Sequence, residues 1–174
     1  MTAQEIIALL NLQPLPKEGG FFRQSYQSAE KIPQNALPAR YRQDMVFGTA
    51  IYFLLTPDSY SAMHRLNTDE IFHFYLGDPV EMLLLHPNGD GEVFILGSEL
   101  QAGMRPQKLV SQGVWQGAKL ATGGERGFAL LGTTMAPGFE WDGFELGRRD
   151  ALIEQYPDFA NLIEARTHDE HSPA

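Results

Sequence analysis

The chain has 174 residues and a mass of 19.4 kDa, with 22 acidic and 13 basic side chains and a formal net charge of −9. Binding to nucleic acid and to anionic membranes depends on Lys and Arg, so this charge predicts no nucleic-acid partner and no membrane partner. The sequence has no cysteine, which excludes disulfides, thiolate catalysis and Cys-ligated zinc. The length suits one core, and we expect a single domain over residues 1–166 with a flexible tail at 167–174.

The amino-terminal residues predict a short helix. Thr2 and Glu5 have the spacing of a capping box, and Ile6, Leu9 and Leu10 give the following turns an apolar side. This apolar stretch is short and no Lys or Arg precedes it, which argues against a secretory signal. We therefore expect a cytoplasmic protein.

The middle of the chain alternates short apolar segments with turn residues, a spacing typical of an all-β sandwich or barrel. The segments predicted as strands are 21–26, 47–55, 59–66, 70–76, 80–86, 92–96, 107–110, 114–120 and 127–134. Residues 86–91 contain Asn-Gly and Asp-Gly and are predicted as a tight hairpin turn. The polar stretch 31–43, with Pro33 and Pro38, is predicted as a long connection.

The carboxyl-terminal part predicts two more short helices, at residues 148–155 and 157–166, because its apolar residues recur with helical periodicity. His168 and His171 follow in the polar tail, where we expect them to be solvated. The predicted fold is therefore mainly all-β, with short helices at the N- and C-termini.

The stretch from residue 61 to residue 77 holds the side chains best suited to chemistry. An imidazole and a carboxylate on adjacent strands can bind a divalent metal, or can act as a base and the group that orients it. In a regular strand Glu70 shares a face with Phe72 and Phe74 while His73 points the other way, so Glu70 and His73 could meet one ligand only across a bulge. His64 lies on a separate strand or turn and can reach Glu70.

Five segments between Glu18 and Gly147 resemble a family of small single-domain cupins long catalogued as a domain of unknown function. In chain order they are EGGFFRQSY, AIYFLL, MHRLNTDEIFHFYLGDP, GVWQGAKL and APGFEWDGFELG. The resemblance implies a double-stranded β-helix, or jelly-roll β-barrel, and it implies homodimers. It implies no single activity, since members are likened both to metal-free epimerases of nucleotide-linked deoxysugars and to metal-binding cupins.

The two cupin motifs are matched only in part. Glu70 and Gly77 match the second half of the first motif, and His64 matches one of its two histidines. In the second motif Gly113 is kept, and Gln116 stands where the family has a histidine. A metal-binding cupin usually has three histidines and one glutamate, so the resemblance leaves His64, Glu70 and Gln116 as a sparse set of metal ligands.

Three functional hypotheses follow. The first is a homodimeric cupin that needs no cofactor, binds a small anionic metabolite such as a nucleotide or nucleotide-sugar, and transfers a proton as an epimerase or isomerase. There His64 is the base, Glu70 orients it and Gln116 bonds to the substrate. The second is a divalent-metal enzyme that uses the same three residues as ligands, and the third is a non-catalytic metabolite-binding module. A purely structural pairing of His64 with Glu70 would also explain both residues.

Other residues could contact such a ligand. Guanidinium groups suit phosphate oxygens, which makes Arg23 and Arg65 candidate phosphate contacts, although salt bridges are the commoner fate of arginine. Aromatic rings can stack on a base or a sugar, although most pack in a core. The candidate aromatic residues are Tyr52, Phe72, Phe74 and Phe139. His73 is expected to pack or to lie at a subunit interface, and the early strand 21–26 favours pairing with a second subunit.

Overall fold

The structure is a computed structural model that describes residues 1–168. This part of the chain holds thirteen strands and three α-helices. The strands are β1 (Gln13–Pro14), β2 (Phe21–Gln27), β3 (Lys31–Ile32), β4 (Met45–Val46), β5 (Thr49–Leu55), β6 (Ser61–Leu66), β7 (Glu70–Gly77), β8 (Val80–Leu85), β9 (Gly91–Leu96), β10 (Gln107–Val110), β11 (Trp115–Leu120), β12 (Ala129–Met135) and β13 (Phe144–Leu146). The helices are α1 (Ala3–Leu10), α2 (Arg149–Gln155) and α3 (Ala160–Glu164), with 3₁₀ turns at Gln34–Ala36, Leu100–Ala102, Trp141–Gly143 and Pro157–Phe159.

Two antiparallel sheets form the body of the molecule. One has the order β1-β2-β5-β12-β7-β10 and the other the order β13-β6-β11-β8-β9, while β3 and β4 pair separately. Neighbours in each sheet are mostly distant in sequence, as in a jelly roll. The prediction of an all-β double-stranded β-helix with short terminal helices is thereby confirmed, although within residues 1–168 the sheets do not close into a complete barrel.

The core lies between the inner faces of the two sheets. Alternation along β5 and β12 turns Phe53, Leu55 and Leu131 inward, and they pack against Met82 and Leu84 of the opposite sheet. Thr49, Ile51, Thr133 and Met135 continue the same inward face at the other end of these two strands, where they line a cavity instead of the core. One face of the six-stranded sheet therefore supplies both the core and one wall of the cavity.

The helices cover the outer faces of the sheets. The capping box of α1 is confirmed, with the Glu5 amide donating to Thr2 Oγ1 at 3.2 Å and the Thr2 amide donating to Glu5 Oε2 at 2.8 Å. Ile6 of α1 packs with Leu54 and Leu130 on the outer face of the six-stranded sheet. No helix in the described residues is long and apolar enough to cross a membrane.

The carboxyl-terminal helices pack on the five-stranded sheet through Leu152, Tyr156 and Ile163. The buried Arg166 anchors this layer, since its Nη2 lies 2.6 Å from Glu81 Oε1 of β8. Thr167 is also buried and its hydroxyl donates to the Ile163 carbonyl. The first residues of the expected tail therefore belong to the folded part.

All nine predicted strands are present, with ends within two residues of the prediction. The short strands β1, β3, β4 and β13 were not predicted, and β3 with a 3₁₀ turn lies inside the expected connection 31–43. The predicted helix 157–166 is a 3₁₀ turn followed by α3, which ends at Glu164. His168 is exposed but hydrogen-bonded to Lys17 and Tyr60, whereas the rest of the expected tail, with His171, lies outside the described residues.

Candidate functional site

His64 faces the interior because β6 carries a bulge. Along the β6–β11 pair, His64 lies opposite Gln116 and Ser61 lies opposite Ala118, so β6 has one more residue between these positions than β11. The extra residue reverses the alternation, and Ser61 and His64 both project toward the space between the sheets. Arg65, the next residue along β6, points the opposite way.

Gln116 joins the two titratable groups of the site. Its side-chain Nε2 lies 3.2 Å from His64 Nε2 and donates to Glu70 Oε2 at 2.7 Å. His64 and Gln116 are each 2% exposed and Glu70 is 7% exposed. The structure thus brings together the three residues that the sequence grouped, but a glutamine amide separates the imidazole from the carboxylate.

The hydrogen bonds of His64 define its tautomer. Its Nδ1 lies 2.8 Å from the carbonyl oxygen of Ala62, which can only accept, so Nδ1 carries the proton. The Nε2 atom of a neutral ring then accepts from the Gln116 amide. Phe144 stacks on the ring with centroids 5.1 Å apart and fixes its plane. In the neutral ring the lone pair of Nε2 is therefore the one directed at the site.

Burial sets the proton affinity of Glu70. Loss of hydration raises the pKa of this carboxyl, the neighbouring His64 lowers it, and the negative charge of Glu18 raises it further. Hydrogen bonds from Thr133 and Gln116 oppose the rise. The net result is a raised pKa, so Glu70 keeps its proton to higher pH than a solvated glutamate does.

The Gln116 amide also has an unused acceptor. Its Oε1 is buried and has no hydrogen-bond partner among the described residues. If His64 gained a proton, its Nε2–H would meet the amide N–H, and a half-turn of the amide would present Oε1 to it instead. The bridge can therefore serve either protonation state of the imidazole.

A cavity of about 490 Å³ opens beside these residues, a volume typical of sites for small molecules. Its wall is mainly apolar and aromatic, and His64, Glu70, Glu18 and Thr133 contribute polar groups. Arg23 is the one cation lining it within residues 1–168. The remaining lining residues are Asn11, Gln13, Leu15, Phe22, Gln24, Thr49, Ile51, Leu66, Met135, Phe139 and Trp141.

Two of the predicted ligand contacts line this cavity. Arg23 lies on β2, and its exposed guanidinium donates through Nη1 to the Leu10 carbonyl at 3.0 Å. Phe139 lies in an aromatic cluster with Trp141 and Phe144, whose ring centroids are 5.1 and 6.5 Å from its own. Gln116 itself is not among the lining residues, so it acts behind His64 and Glu70 in the wall.

Four other predicted contacts lie elsewhere. Phe72 and Phe74 share the inner face with Glu70 but lie deeper, in or against the core. Tyr52 is on the outer face, where it meets Tyr75 edge to face with ring centroids 6.3 Å apart. Arg65 points away from the cavity because it alternates with His64 on β6, and it pairs with Glu145 while its guanidinium lies over Trp115.

His73 stays on the outer face of its strand, as alternation from Glu70 requires. The bulge in β7 lies near Tyr75, after His73, because Leu76 pairs with Leu130 whereas Phe74 pairs with Leu131. His73 Nε2 lies 2.9 Å from Thr134 Oγ1, and burial lowers the pKa of its ring. It therefore takes no part in the cavity.

Glu18 is a charged residue of the cavity that was not recognised from the sequence. It is half-buried on the turn between β1 and β2, and its Oε1 accepts a hydrogen bond of 2.7 Å from Ser61 Oγ. The only local signal was the pair Gly19-Gly20, which follows it directly. Both glycines have positive φ, 97° and 71°, so the chain reverses there and Glu18 faces inward.

A two-sheet jelly roll with a small-molecule cavity between its sheets and His and Glu in the wall is the arrangement of a cupin. The family described as Cupin superfamily (DUF985) matches residues 4–147, and the chain belongs to it. This confirms the resemblance seen in the sequence, and the family is one without an assigned activity.

Several proteins are similar to this one over most of the chain. A protein from Shewanella oneidensis, SO0799, is 33% identical with a TM-score of 0.85, and the match covers 98% of this chain and 99% of that one. A hypothetical protein from Leishmania major is 28% identical with a TM-score of 0.85, over 97% of this chain and 100% of that one. The uncharacterized protein YML079W of Saccharomyces cerevisiae is 28% identical over 133 residues, which are 72% of this chain and 66% of that protein's length.

A more distant likeness extends to a named enzyme. A variant of oxalate decarboxylase from Bacillus subtilis superposes with a TM-score of 0.52 over 93% of this chain and 39% of its own, at 10% identity. At this identity the likeness shows the fold alone.

The donor set of the cavity does not fit the metal ion that many cupins hold. Within residues 1–168 no group of three or more His, Asp or Glu side chains is placed to bind one ion. The Gln116 amide N–H, which is a donor, lies within hydrogen-bond distance of both His64 Nε2 and Glu70 Oε2. Those two atoms are the natural metal ligands here, and an N–H group directed at them competes with an ion.

Proposed function

We propose that this protein binds a small organic metabolite in the cavity and transfers a proton on it, in the manner of an epimerase or isomerase. The observation that supports this most is the Gln116 amide, which joins the His64 imidazole to a carboxyl of raised pKa in one cavity wall. An imidazole beside a carboxyl whose pKa is raised by burial is a pair of groups suited to proton transfer near neutral pH.

The roles follow from the hydrogen bonds. His64 Nε2 takes a proton from a carbon next to a carbonyl group, and the electron pair of that C–H bond moves to the carbonyl oxygen. The protonated Glu70 supplies its proton to that oxygen, which gives an enol. Reversal restores the carbonyl, and return of a proton to the carbon gives the isomer. Glu70 is thus an acid in its own right, whereas the sequence had suggested only an orienting role.

The anionic group of the metabolite belongs at Arg23 in this proposal. The negative charge of Glu18 makes the interior of the cavity unfavourable for a phosphate or carboxylate, whereas Arg23 of β2 is the one cationic residue that lines it within residues 1–168. A nucleotide-sugar or related anionic metabolite would therefore place its neutral, carbonyl-bearing part beside His64 and its charged part at Arg23. A cytoplasmic location and a homodimer remain part of the proposal.

Deuterium incorporation tests this function across a panel of compounds, so the substrate need not be identified first. The protein is incubated in D2O with nucleotide-sugars, sugar phosphates and keto acids, and proton NMR follows the carbon-bound positions next to each carbonyl. We expect the wild type to exchange at least one compound and His64→Ala to lose about a hundredfold or more of that rate. His86→Ala removes a partly exposed histidine outside the cavity and should exchange normally.

Two results would oppose the proposal. Equal exchange by the wild type and His64→Ala would remove His64 from the reaction. Tight binding of a panel compound with no exchange of any of its protons would favour a metabolite-binding module without catalysis.

A further inference from the structure

The turn that carries Glu18 is held in place from several directions. The backbone carbonyl of Glu18 accepts from the Ala62 amide at 2.8 Å, and its carboxylate accepts from Ser61 Oγ. Ser61 and Ala62 belong to the same bulged stretch of β6 that positions His64. The Ala62 carbonyl in turn accepts the Nδ1–H of His64, so one residue anchors both Glu18 and His64.

The residues beside Glu18 are fixed as well. The Lys17 carbonyl accepts from His168 Nε2 at 2.7 Å, and His168 Nδ1 lies 3.1 Å from the Tyr60 hydroxyl. The Lys17 ammonium lies 5.4 Å from the centre of the Trp141 ring, which lines the cavity. Together these contacts hold one carboxylate at the edge of the ligand space.

Glu18 and His64 reach the cavity from different segments. His64 projects from β6 and Glu70 from β7 of the opposite sheet, whereas Glu18 enters from the β1–β2 turn. Inversion at a carbon centre requires that a proton leave one face and that another arrive on the opposite face. A single base cannot serve both faces unless the substrate turns over, so a site for inversion needs two proton-transfer positions.

We propose that Glu18 is a second acid–base group of the cavity, at a position separate from His64, so that a proton removed by one group is replaced by the other. The inference rests on the proton transfer proposed above. In one direction the Glu18 carboxylate takes the proton from carbon, the electron pair moves to the carbonyl oxygen, and protonated His64 delivers its proton to the opposite face of that carbon as the carbonyl re-forms. Glu18 is then protonated and His64 neutral, and each returns to its starting state by exchange with water. The reverse reaction exchanges their roles.

The first test needs no substrate and asks whether Glu18 faces Glu70. With carboxyl-13C-labelled glutamate, NMR follows the titration of Glu70 in the wild type, in Glu18→Gln and in Glu125→Gln. Glutamine still accepts from Ser61 Oγ, so the turn should keep its structure. Glu125→Gln makes the same change in net charge at an exposed site. We expect the midpoint of Glu70 to fall in Glu18→Gln alone, because a nearby negative charge has gone. An unchanged midpoint would overturn the inference.

The second test separates exchange from inversion, with the panel compound that the wild type exchanges. We expect Glu18→Gln to lose about a hundredfold of the rate of isomer formation, while deuterium still enters through His64 without inversion. Glu18→Asp, which keeps the charge, should recover part of the loss. Wild-type isomer formation in Glu18→Gln would overturn the inference. If the wild type exchanges no compound, the proposed function fails for that panel, and the Glu70 titration still decides whether Glu18 shares its ligand space.

Discussion

The Gln116 side chain decides what chemistry His64 and Glu70 have available. A histidine at this position, as in the second cupin motif, would offer another lone pair to an ion. The amide instead directs N–H groups at the imidazole and the carboxyl, which keeps both within one hydrogen-bonded unit. Its unpaired Oε1 gives this unit a second arrangement that suits a protonated imidazole. The residue therefore supports the proposed proton transfer rather than metal binding.

The raised pKa of Glu70 has a consequence for stability. Burial favours the protonated form of Glu70 in the folded state more than in the unfolded chain, where the pKa of this carboxyl is near 4.5. The stabilisation from Glu70 is therefore complete below pH 4.5 and is lost as the pH rises through the folded-state pKa. Glutamine cannot ionise and still accepts from Gln116, so Glu70→Gln should gain stability over the wild type as the pH rises.

Urea denaturation at pH 4, 6 and 8 measures this difference. The free energy of unfolding of Glu70→Gln minus that of the wild type should increase across the series. Glu145→Gln, at an exposed salt bridge, provides the control and should show little trend. A difference that is constant or falls with pH would mean that the folded state does not favour protonated Glu70.

At the scale of elements, the turn between β1 and β2 depends on close backbone approach. Gly19 has a φ of 97°, and a Cβ atom there would lie 2.5 Å from the Tyr60 carbonyl oxygen. Gly89, in the hairpin between β8 and β9, has a φ of 95° but nothing within 4 Å of such an atom among the described residues. The two glycines share the conformational requirement and differ in the space around them.

We expect Gly89→Ala to lose about 1–2 kcal/mol of unfolding free energy from left-handed backbone alone. Gly19→Ala should lose clearly more, because the turn must also move away from Tyr60. The same displacement should lower the NMR titration midpoint of Glu70, since the charge of Glu18 moves off with the turn. Equal losses in the two variants, measured by urea denaturation, would show that the approach to Tyr60 carries no cost.

The sequence predicted the longer strands well because each is half-buried and alternates along a face, as β5 and β12 do. It missed β1, β3, β4 and β13, which have two or three residues and no periodicity to detect. The bulge in β6 was equally invisible. It depends on pairing with β11, which is remote in sequence, and it sets which side of β6 each residue faces.

The sequence predicted those residues of the candidate site that occupy positions of the cupin motifs. His64, Glu70 and Gln116 come together as their match to the cupin motifs implied. The role of Glu18 could not be read in the same way, because its partners Ser61 and Ala62 lie more than forty residues further along the chain. Some of the aromatic and arginine candidates line the cavity and others do not, depending on the face of the strand and the depth at which each lies. Amino-acid composition reveals neither property.

At the scale of the whole molecule, β2 leaves an unfinished sheet edge. β1 pairs only with Phe21 and Phe22, so residues 23–27 have no strand on that side within the described part of the chain. Tyr26 on this stretch is 54% exposed. An open edge with exposed aromatic surface invites a second strand, and a second copy of the chain is the simplest source.

We expect light scattering after size-exclusion chromatography to give twice the 19.4 kDa chain mass at micromolar concentration. Tyr26→Lys should shift the protein toward the monomer, because a charge at a strand edge opposes pairing. Tyr75→Lys alters an exposed tyrosine away from that edge and should leave the dimer in place. A wild type that is monomeric throughout would contradict the dimer.

The proposed chemistry uses organic acid–base groups and no metal ion, so the metal content of the purified protein is the measurement that decides between the two. The protein is purified without an affinity tag or a chelator, and inductively coupled plasma mass spectrometry measures iron, manganese, nickel and zinc in the wild type and in His64→Ala. We expect low metal content that is the same in both proteins, because the Gln116 amide competes with an ion for His64 and Glu70. Nearly one ion per chain in the wild type, lost in His64→Ala, would contradict this expectation.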